Sequence, residues 1–275
     1  MYVKLLYWHI MRGKIILPKT KFEKSDGVLS MGMIKVIGIG PGGKEDMTPR
    51  ALNAILEADT VAGYNTYIKL IKHLLDGKNV IGTGMMQEVD RCKMAIEEAV
   101  KGHNVAVVSS GDSGVYGMAG LVLELLLKLP KEERPQVQIV AGLSAVNAAA
   151  AVLGAPLMHD FAIISLSDLL TPWELIKKRA DLAAQGDFVI GLYNPKSHKR
   201  VQHIEEIREI MLKHKDPKTP VGIVNSASRE NETMVISDLE NFTKEDINMF
   251  SIVIIGNSKT FAKEGFMITP RGYEV

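Results

Sequence analysis

The 275-residue sequence contains one cysteine, Cys92. A single thiol excludes an internal disulfide framework and any CxxC metal or redox site, and it fits a reducing, cytoplasmic setting. Charge of one sign is also missing in excess, since 33 Lys and Arg stand against 32 Asp and Glu for a net charge of +1. A dedicated nucleic-acid binder is usually more basic, so no nucleic-acid partner is expected. No apolar run reaches the roughly 18 residues of a membrane span, and no membrane partner is expected. The seven histidines include no HExxH and no pair four apart, so no protein-held metal is expected. Internal repeats and low-complexity tracts are absent.

What is present is a large apolar fraction, 46%, beside 24% charged residues. A chain of this length buries on the order of three quarters of its unfolded surface, enough for one large or two smaller cores. Residues 1–30 stand apart. Their longest apolar stretch, Leu5 to Trp8, is shorter than the about 7–15 residues of a signal-peptide core, and no A-x-A-like site follows. They read as an upstream extension, with Met31 or Met33 the natural start.

From Ile34 onward, short β-rich runs alternate with helical stretches. "IKVIGIG", "TVAGY", "NVIG", "NVAVVSS" and "VQIVAG" read as strands. Between them lie helices, one starting at "TPRALNAILEAD" with Thr48 as N-cap and Pro49 at the first position. Others cover Asp90–Val100, Met118–Leu129 and the small-residue stretch 144–153. Gly and Pro in "GAPLMHDF" (154–161) suggest a hinge. The pattern then restarts with "AIISLS", a helix over 172–184, "FVIGLYN", a charged helix over about 201–214, "PVGIVNSAS", "TMVISDL" and "SIVIIGNS". The close spacing of the last strands predicts antiparallel pairing. The expected architecture is α/β, with an extension over 1–32, one α/β domain over 33–154, a second over 155–275 and a cleft between them.

"VIGIGPGGKEDMTP" places Gly38, Gly40 and Gly43 at the G-x-G-x-x-G spacing of a dinucleotide turn. Two features oppose that reading. The helix signals sit at Thr48-Pro49, too far from Gly40 for helix amides to hold a pyrophosphate. Asp59, at a ribose-acid distance from Gly38, ends a helix rather than a strand. The glycines are also not alone. "SSGDSGVYGMAG" and "AGLSA" follow two further strands of the first half, and "LYNPKS" and "VNSASRE" follow strands of the second. Ligands in open α/β sheets bind beyond the carboxyl ends of the strands. Five such loops, three from one half and two from the other, describe a cleft.

In this order the loops resemble those of the tetrapyrrole methylase family, from about Met33 to the C-terminus. "GIGPGGKEDMT" is similar to the family's first loop, GxGPGxxxxxT. "SGDSGVYG" is similar to its GDP-type loop, with Ser113 where many members have Pro. "AGLSA" is similar to P-G-x-S/T-A, with Ala141 in place of Pro. "VAGYNTYIKLI", "HDFAIISLSDLLTPWELIKKR", "LYNPKSHKR" and "ITPRGY" resemble members that methylate carbon 17 of a corrin precursor and contract the ring. The resemblance implies a two-domain fold that is not Rossmann, S-adenosylmethionine as methyl donor, a tetrapyrrole or corrin substrate and a homodimer.

By the same resemblance Pro41, Ser110, Gly111, Asp112 and Val115 contact the donor, and Ser144, Ala145, Leu192 and Ala227 complete its pocket. Asp112 has an alternative role as a helix N-cap. Substrate carboxylates call for cations, and Lys196, Lys199, Arg200 and Arg229 follow two of the cleft loops, with the neutral Asn194 a further substrate-binding candidate beside them; a solvated helix face is the other reading of these charges. Ring contraction calls for an acid or base. Tyr64 stands where uroporphyrinogen methylases have Asp, so it is the candidate for that role, with rim packing as the alternative. Met85 and Met86 are expected to pack, and Cys92 to be a small core residue. A dinucleotide oxidoreductase, a non-catalytic tetrapyrrole or nucleotide binder, and a methylase of another ring position or of a protein substrate stay open as alternatives.

Overall fold

The computed structural model describes residues 31–197 and 200–274, so the expectations for residues 1–30 and for Lys199 lie outside the described residues. Contacts join everything from Met31 onward into one unit. Its first half holds β1 (Met33–Gly38), β2 (Thr60–Tyr64), β3 (Asn79–Thr83), β4 (Val105–Ser109) and β5 (Gln136–Val140). They form one sheet in the order β3-β2-β4-β1-β5, parallel at every pairing. β4 is apolar on both sides and wholly buried, as a central parallel strand between two helical layers should be.

The helices that cover this sheet are α1 (Pro49–Leu56), α2 (Asn65–Leu70), α3 (Glu88–Val100) and α4 (Ala119–Leu127). Val36, Val105 and Val107 meet Cys92, Ala95 and Ala99 of α3 and Val122 of α4. The alternate residues Ile37, Ala106 and Val108 turn to the opposite face, against Ala51, Ala54 and Ile55 of α1. Thr48 caps α1 as expected, its hydroxyl oxygen accepting from the Ala51 amide at 3.1 Å ahead of Pro49. Cys92 is fully buried, and burial pushes its thiol up to about 11.

The second half builds another five-stranded sheet from β7 (Phe161–Ser165), β8 (Val189–Tyr193), β9 (Pro220–Asn225), β10 (Thr233–Asp238) and β11 (Ser251–Ile255). Its order is β10-β9-β11-β8-β7. β11 runs antiparallel to β8 and β9, and β10 antiparallel to β9, as the short connections demand. Helices α6 (Trp173–Gln185) and α7 (His203–Met211) cover one face through Ile176, Ala180, Ile204 and Ile207.

Helix α5 (Ala145–Leu153) covers the other face of this second sheet. Val146, Ala149 and Leu153 pack against Val189, Val224, Ile252 and Ile254. The expected division after residue 154 therefore differs from the packing, which changes partner sheet in the loop after β5. The expected hinge is also more ordered than a linker. Gly154–Ala155 form β6, paired in parallel with β13 (Phe266–Ile268), which hairpins onto β12 (Phe261–Lys263). This three-stranded sheet escapes the sequence pattern because its strands are only two or three residues long. Its turn, Glu264-Gly265 at φ 53° and 82°, lacks the usual Asn-Gly or Asp-Gly signal.

Candidate functional site

β4, β1 and β5 are neighbours, so the loops leaving their carboxyl ends start side by side. Those loops interlock through backbone. Gly40 and Gly111 form an isolated antiparallel bridge, with N–H···O distances of 3.1 and 2.7 Å in the two directions. A Cβ on Gly38 would stand 2.6 Å from the Gly111 oxygen, 2.7 Å from the Gly142 nitrogen and 2.9 Å from the Asp112 Cα. Gly38 is thus glycine because three backbones meet there, not because a ligand does. Asp112 ties the same junction, Oδ1 accepting from the Gly114 amide at 2.8 Å and Oδ2 from the Gly142 amide at 2.9 Å. It is not the α4 N-cap, a position held by Met118.

Gly111 behaves differently. It has φ +68°, and the nearest atom to a Cβ there is the Ala145 nitrogen at 3.6 Å. Its open side therefore faces the first turn of α5, where Ser144 donates from Oγ to Asn147 Oδ1 at 2.6 Å. Pro41 is buried, while Ser110, Val115, Ser144 and Ala145 are half-buried around these loops.

The dinucleotide reading fails on two geometric points. α1 begins at Pro49, so no helix amides reach the glycine turn. Asp59 lies at the entry of β2, where its Oδ2 accepts from the Asn104 amide at 2.8 Å. That is the opposite end of a parallel sheet from the glycine loops.

The second half closes over these loops through two tyrosines that sequence reasoning did not single out. Tyr116, in the loop after β4, donates to the Ile163 carbonyl of β7 at 3.2 Å. Its ring lies 5.2 Å from that of Tyr193 at the end of β8, whose hydroxyl accepts from the Val146 amide of α5 at 3.0 Å. Burial pushes both hydroxyls above the ordinary tyrosine range. Their only sequence signal was membership of the "GVYG" and "LYNP" loops. The Leu192 side chain is fully buried in the core under α6 and α7. Ala227 is 6% exposed in the core with α5, so both residues offer backbone alone.

The expected substrate cations are largely engaged. Arg200 donates from Nε to Ser197 Oγ at 3.2 Å and from Nη1 to the Leu166 carbonyl at 3.3 Å, with Asp168 Oδ1 3.8 Å away. The His203 hydrogen bond to Asp168, 3.1 Å, holds that carboxyl below the ordinary aspartate range. Asn194, at φ 50°, donates to Ser165 Oγ at 3.0 Å, and Lys196 beside it is half-buried. Arg229 reaches out of the second half altogether, donating from Nε to the Pro41 carbonyl at 3.0 Å and from Nη2 to Ser110 Oγ at 3.5 Å. Burial pushes the nearby Tyr67 hydroxyl up, against the pull of the Arg229 charge.

Tyr64 precedes α2 and makes an edge-to-face contact with Tyr67 at 5.3 Å, which is rim packing. Met85 and Met86 do not pack as expected. They are 56% and 81% exposed, and Met86 has φ 63° in the turn after β3. Among the described residues, no three His, Cys, Asp or Glu side chains gather as a metal site. What the site offers is a backbone-lined junction with one carboxylate beside it, suited to a cationic or polar ligand approached from the carboxyl ends of the first sheet.

Comparison with known proteins agrees with this geometry. The profile of Tetrapyrrole (Corrin/Porphyrin) Methylases matches residues 33–243. A probable cobalt-factor III C(17)-methyltransferase of Salmonella typhimurium is 50% identical over 241 residues, covering 88% of this chain and 99% of that protein. A cobalt-factor III methyltransferase of Priestia megaterium is also 50% identical, over 245 residues, but the chain spans only 45% of its length. Among solved structures, the methyltransferase CobJ is 35% identical with a TM-score of 0.83, covering 87% of this chain and 100% of that one. A uroporphyrin-III C-methyltransferase from Thermus thermophilus in complex with S-adenosyl homocysteine, 21% identical with a TM-score of 0.63, shares the fold.

Proposed function

Because the chain belongs to the tetrapyrrole (corrin/porphyrin) methylase family, we propose that it is an S-adenosylmethionine-dependent C-methyltransferase of cobalamin biosynthesis, methylating carbon 17 of cobalt-factor III or precorrin-3B with ring contraction. The observation that carries this reading is half identity to a C(17)-methyltransferase along 99% of that protein's length. The loop junction supports it. The residues around Gly111 present backbone and the Asp112 carboxylate, which suit a positively charged sulfonium better than a pyrophosphate.

S-adenosylmethionine, when bound, supplies an already activated methyl group. The chain then needs no nucleophile of its own; its part is to align the acceptor carbon and exclude water, and such orientation supplies roughly 7–11 kcal/mol. Pro41, Ser110, Gly111, Asp112, Val115, Ser144 and Ala145 are the proposed donor contacts, with Leu192 and Ala227 contributing backbone. Asn194, Lys196 and Arg200, on the loop after β8, are the proposed rim for ring carboxylates, with Tyr64, packed against Tyr67, proposed as a hydrogen-bond donor to the macrocycle. A homodimer in the cytoplasm belongs to the same proposal; sedimentation tests the first part.

Incubation with methyl-labelled S-adenosylmethionine and either cobalt-factor III or precorrin-3B tests the reaction. One accepted substrate should gain a single labelled methyl, assigned to carbon 17 by NMR. Methylation at another carbon, or of neither compound by a protein that binds S-adenosylhomocysteine, would refute the assignment.

A further inference from the structure

Arg229 grips two loops of the first half at once, from a loop of the second. Its loop is held in shape by two residues in the left-handed region, Ser226 at φ 52° and Ser228 at φ 61°. A hydrogen bond from the Arg229 amide to the Ser226 carbonyl at 3.0 Å, and one from the Ser228 amide to Glu232 at 2.6 Å, close it further. The side chain then runs past Phe250, its guanidinium carbon 5.6 Å from the ring centre, to reach Pro41 and Ser110 together. Both partners are neutral oxygens on loops that leave adjacent strands of the other sheet.

Gly42 and Gly43 fit this arm. A Cβ on Gly42 would stand 2.5 Å from Arg229 Cγ and 2.7 Å from its Nε, and one on Gly43 would stand 2.9 Å from the Ser228 carbonyl oxygen. The pair is therefore open where the second-half loop comes down, and the Pro41–Gly43 segment is shaped by a residue 188 positions away.

We infer that Arg229 is a positioning residue for the donor site: from the second half it fixes the Pro41 carbonyl and the Ser110 hydroxyl in one grip, and Gly42, whose φ of +154° also favours glycine, leaves room for its side chain. This rests on the reading of Pro41 and Ser110 as donor contacts. It assigns Arg229 to the donor side of the cleft, where the sequence suggested a substrate carboxylate. A lysine ammonium is a compact point charge on a flexible stem, without the planar fork that aims separate N–H groups at Pro41 and Ser110, so it does not reproduce this grip.

Calorimetric titration with S-adenosylhomocysteine tests the proposal. Arg229→Ala and Arg229→Lys should each weaken binding roughly ten- to a hundredfold, the range expected when a charge-assisted bond is lost. Gly42→Ala should weaken it as well, through the collision with the arm and through strain at φ +154°; in the Arg229→Ala background only the backbone strain remains, so it should add less. Wild-type affinity in both Arg229 variants, or effects of Gly42→Ala and Arg229→Ala that simply multiply, would overturn the inference. Hydrogen exchange of the ligand-free protein separates the inference from the donor reading. Faster exchange across residues 38–47 in Arg229→Ala supports the grip even if the wild type binds no S-adenosylhomocysteine, and unchanged exchange overturns it.

Discussion

Replacing Asp112 by Asn changes one oxygen to an amide nitrogen at the point where two loops meet. The wild-type carboxylate accepts two backbone N–H bonds, 2.8 Å from Gly114 and 2.9 Å from Gly142. Asn has a single acceptor, so one bond survives and the NH2 group is turned against the other N–H donor. Hydrogen bonds to charged groups contribute roughly 1.5–3 kcal/mol. Asp112 is half-buried, which places the loss of one bond near the lower part of that range, about 2 kcal/mol. For a chain of this size, one kcal/mol moves the thermal midpoint by about 2–4 °C, so the Asn variant should melt about 4–8 °C below wild type. Asp112→Ala, which loses both bonds, should fall roughly twice as far. Differential scanning calorimetry at neutral pH measures both. The stabilisation that S-adenosylhomocysteine gives should shrink in the same order, since ligand stabilisation follows RT ln(1 + [L]/Kd). An Asn variant that melts with the wild type would show that the carboxylate does not hold the loops, and the site would need rebuilding around another tie.

The glycines of the junction should rank by what surrounds them. Gly38→Ala meets three backbone atoms within 2.9 Å and should abolish soluble expression or cost far more than Gly111→Ala, whose penalty is the left-handed backbone, about 1–2 kcal/mol; equal melting temperatures would contradict this. Tyr193→Phe removes the acceptor of the Val146 amide and should cost about 1 kcal/mol by chemical denaturation, with an unchanged far-UV spectrum. Acid should loosen the second half through Asp187. Burial pushes its carboxyl up, but the hydroxyl and amide of Ser258 and the Lys215 ammonium pull it net below the ordinary aspartate range. Its stabilisation is therefore complete above the unfolded aspartate pKa near 4 and lost as pH falls through the lower folded value. The urea midpoint of Asp187→Asn should drop less between pH 6 and pH 3 than that of the wild type, and parallel curves would refute the linkage.

How much of this was visible in the sequence follows from the range of each signal. The two sheets were legible because strands such as "VAVVS" and "SIVII" are apolar without interruption and buried on both faces. The α1 start was legible because Thr48 and Pro49 act within one turn. The meeting of the first-half loops was legible from glycine-rich segments repeating after successive strands. The side on which α5 packs was not, since an alanine-rich helix suits either sheet and only its Val146 and Leu153 contacts decide. Residue roles were the least legible. Gly38, Asp112 and Arg229 all lie in the motifs, yet what each does depends on partners as far as 30 positions away for Asp112 and 188 for Arg229, which no local spacing encodes.

The bridge between Gly40 and Gly111 bears on how this loop pair can change. It is a single rung joining segments that leave parallel strands, and its two hydrogen bonds require both glycines to arrive opposite one another. Gly38↔Ser109 is the last paired position of β1 and β4, and Gly40 and Gly111 follow it at equal distance along each segment. Deleting or inserting one residue before either glycine breaks that equality and shifts every later residue of the loop against its neighbour. The pair can be shortened or lengthened only together, like two sides of a zip fastener. Variation in loop length, and any change of substrate that depends on it, is thereby directed to segments outside the rung, such as those after β2, β7 and β8.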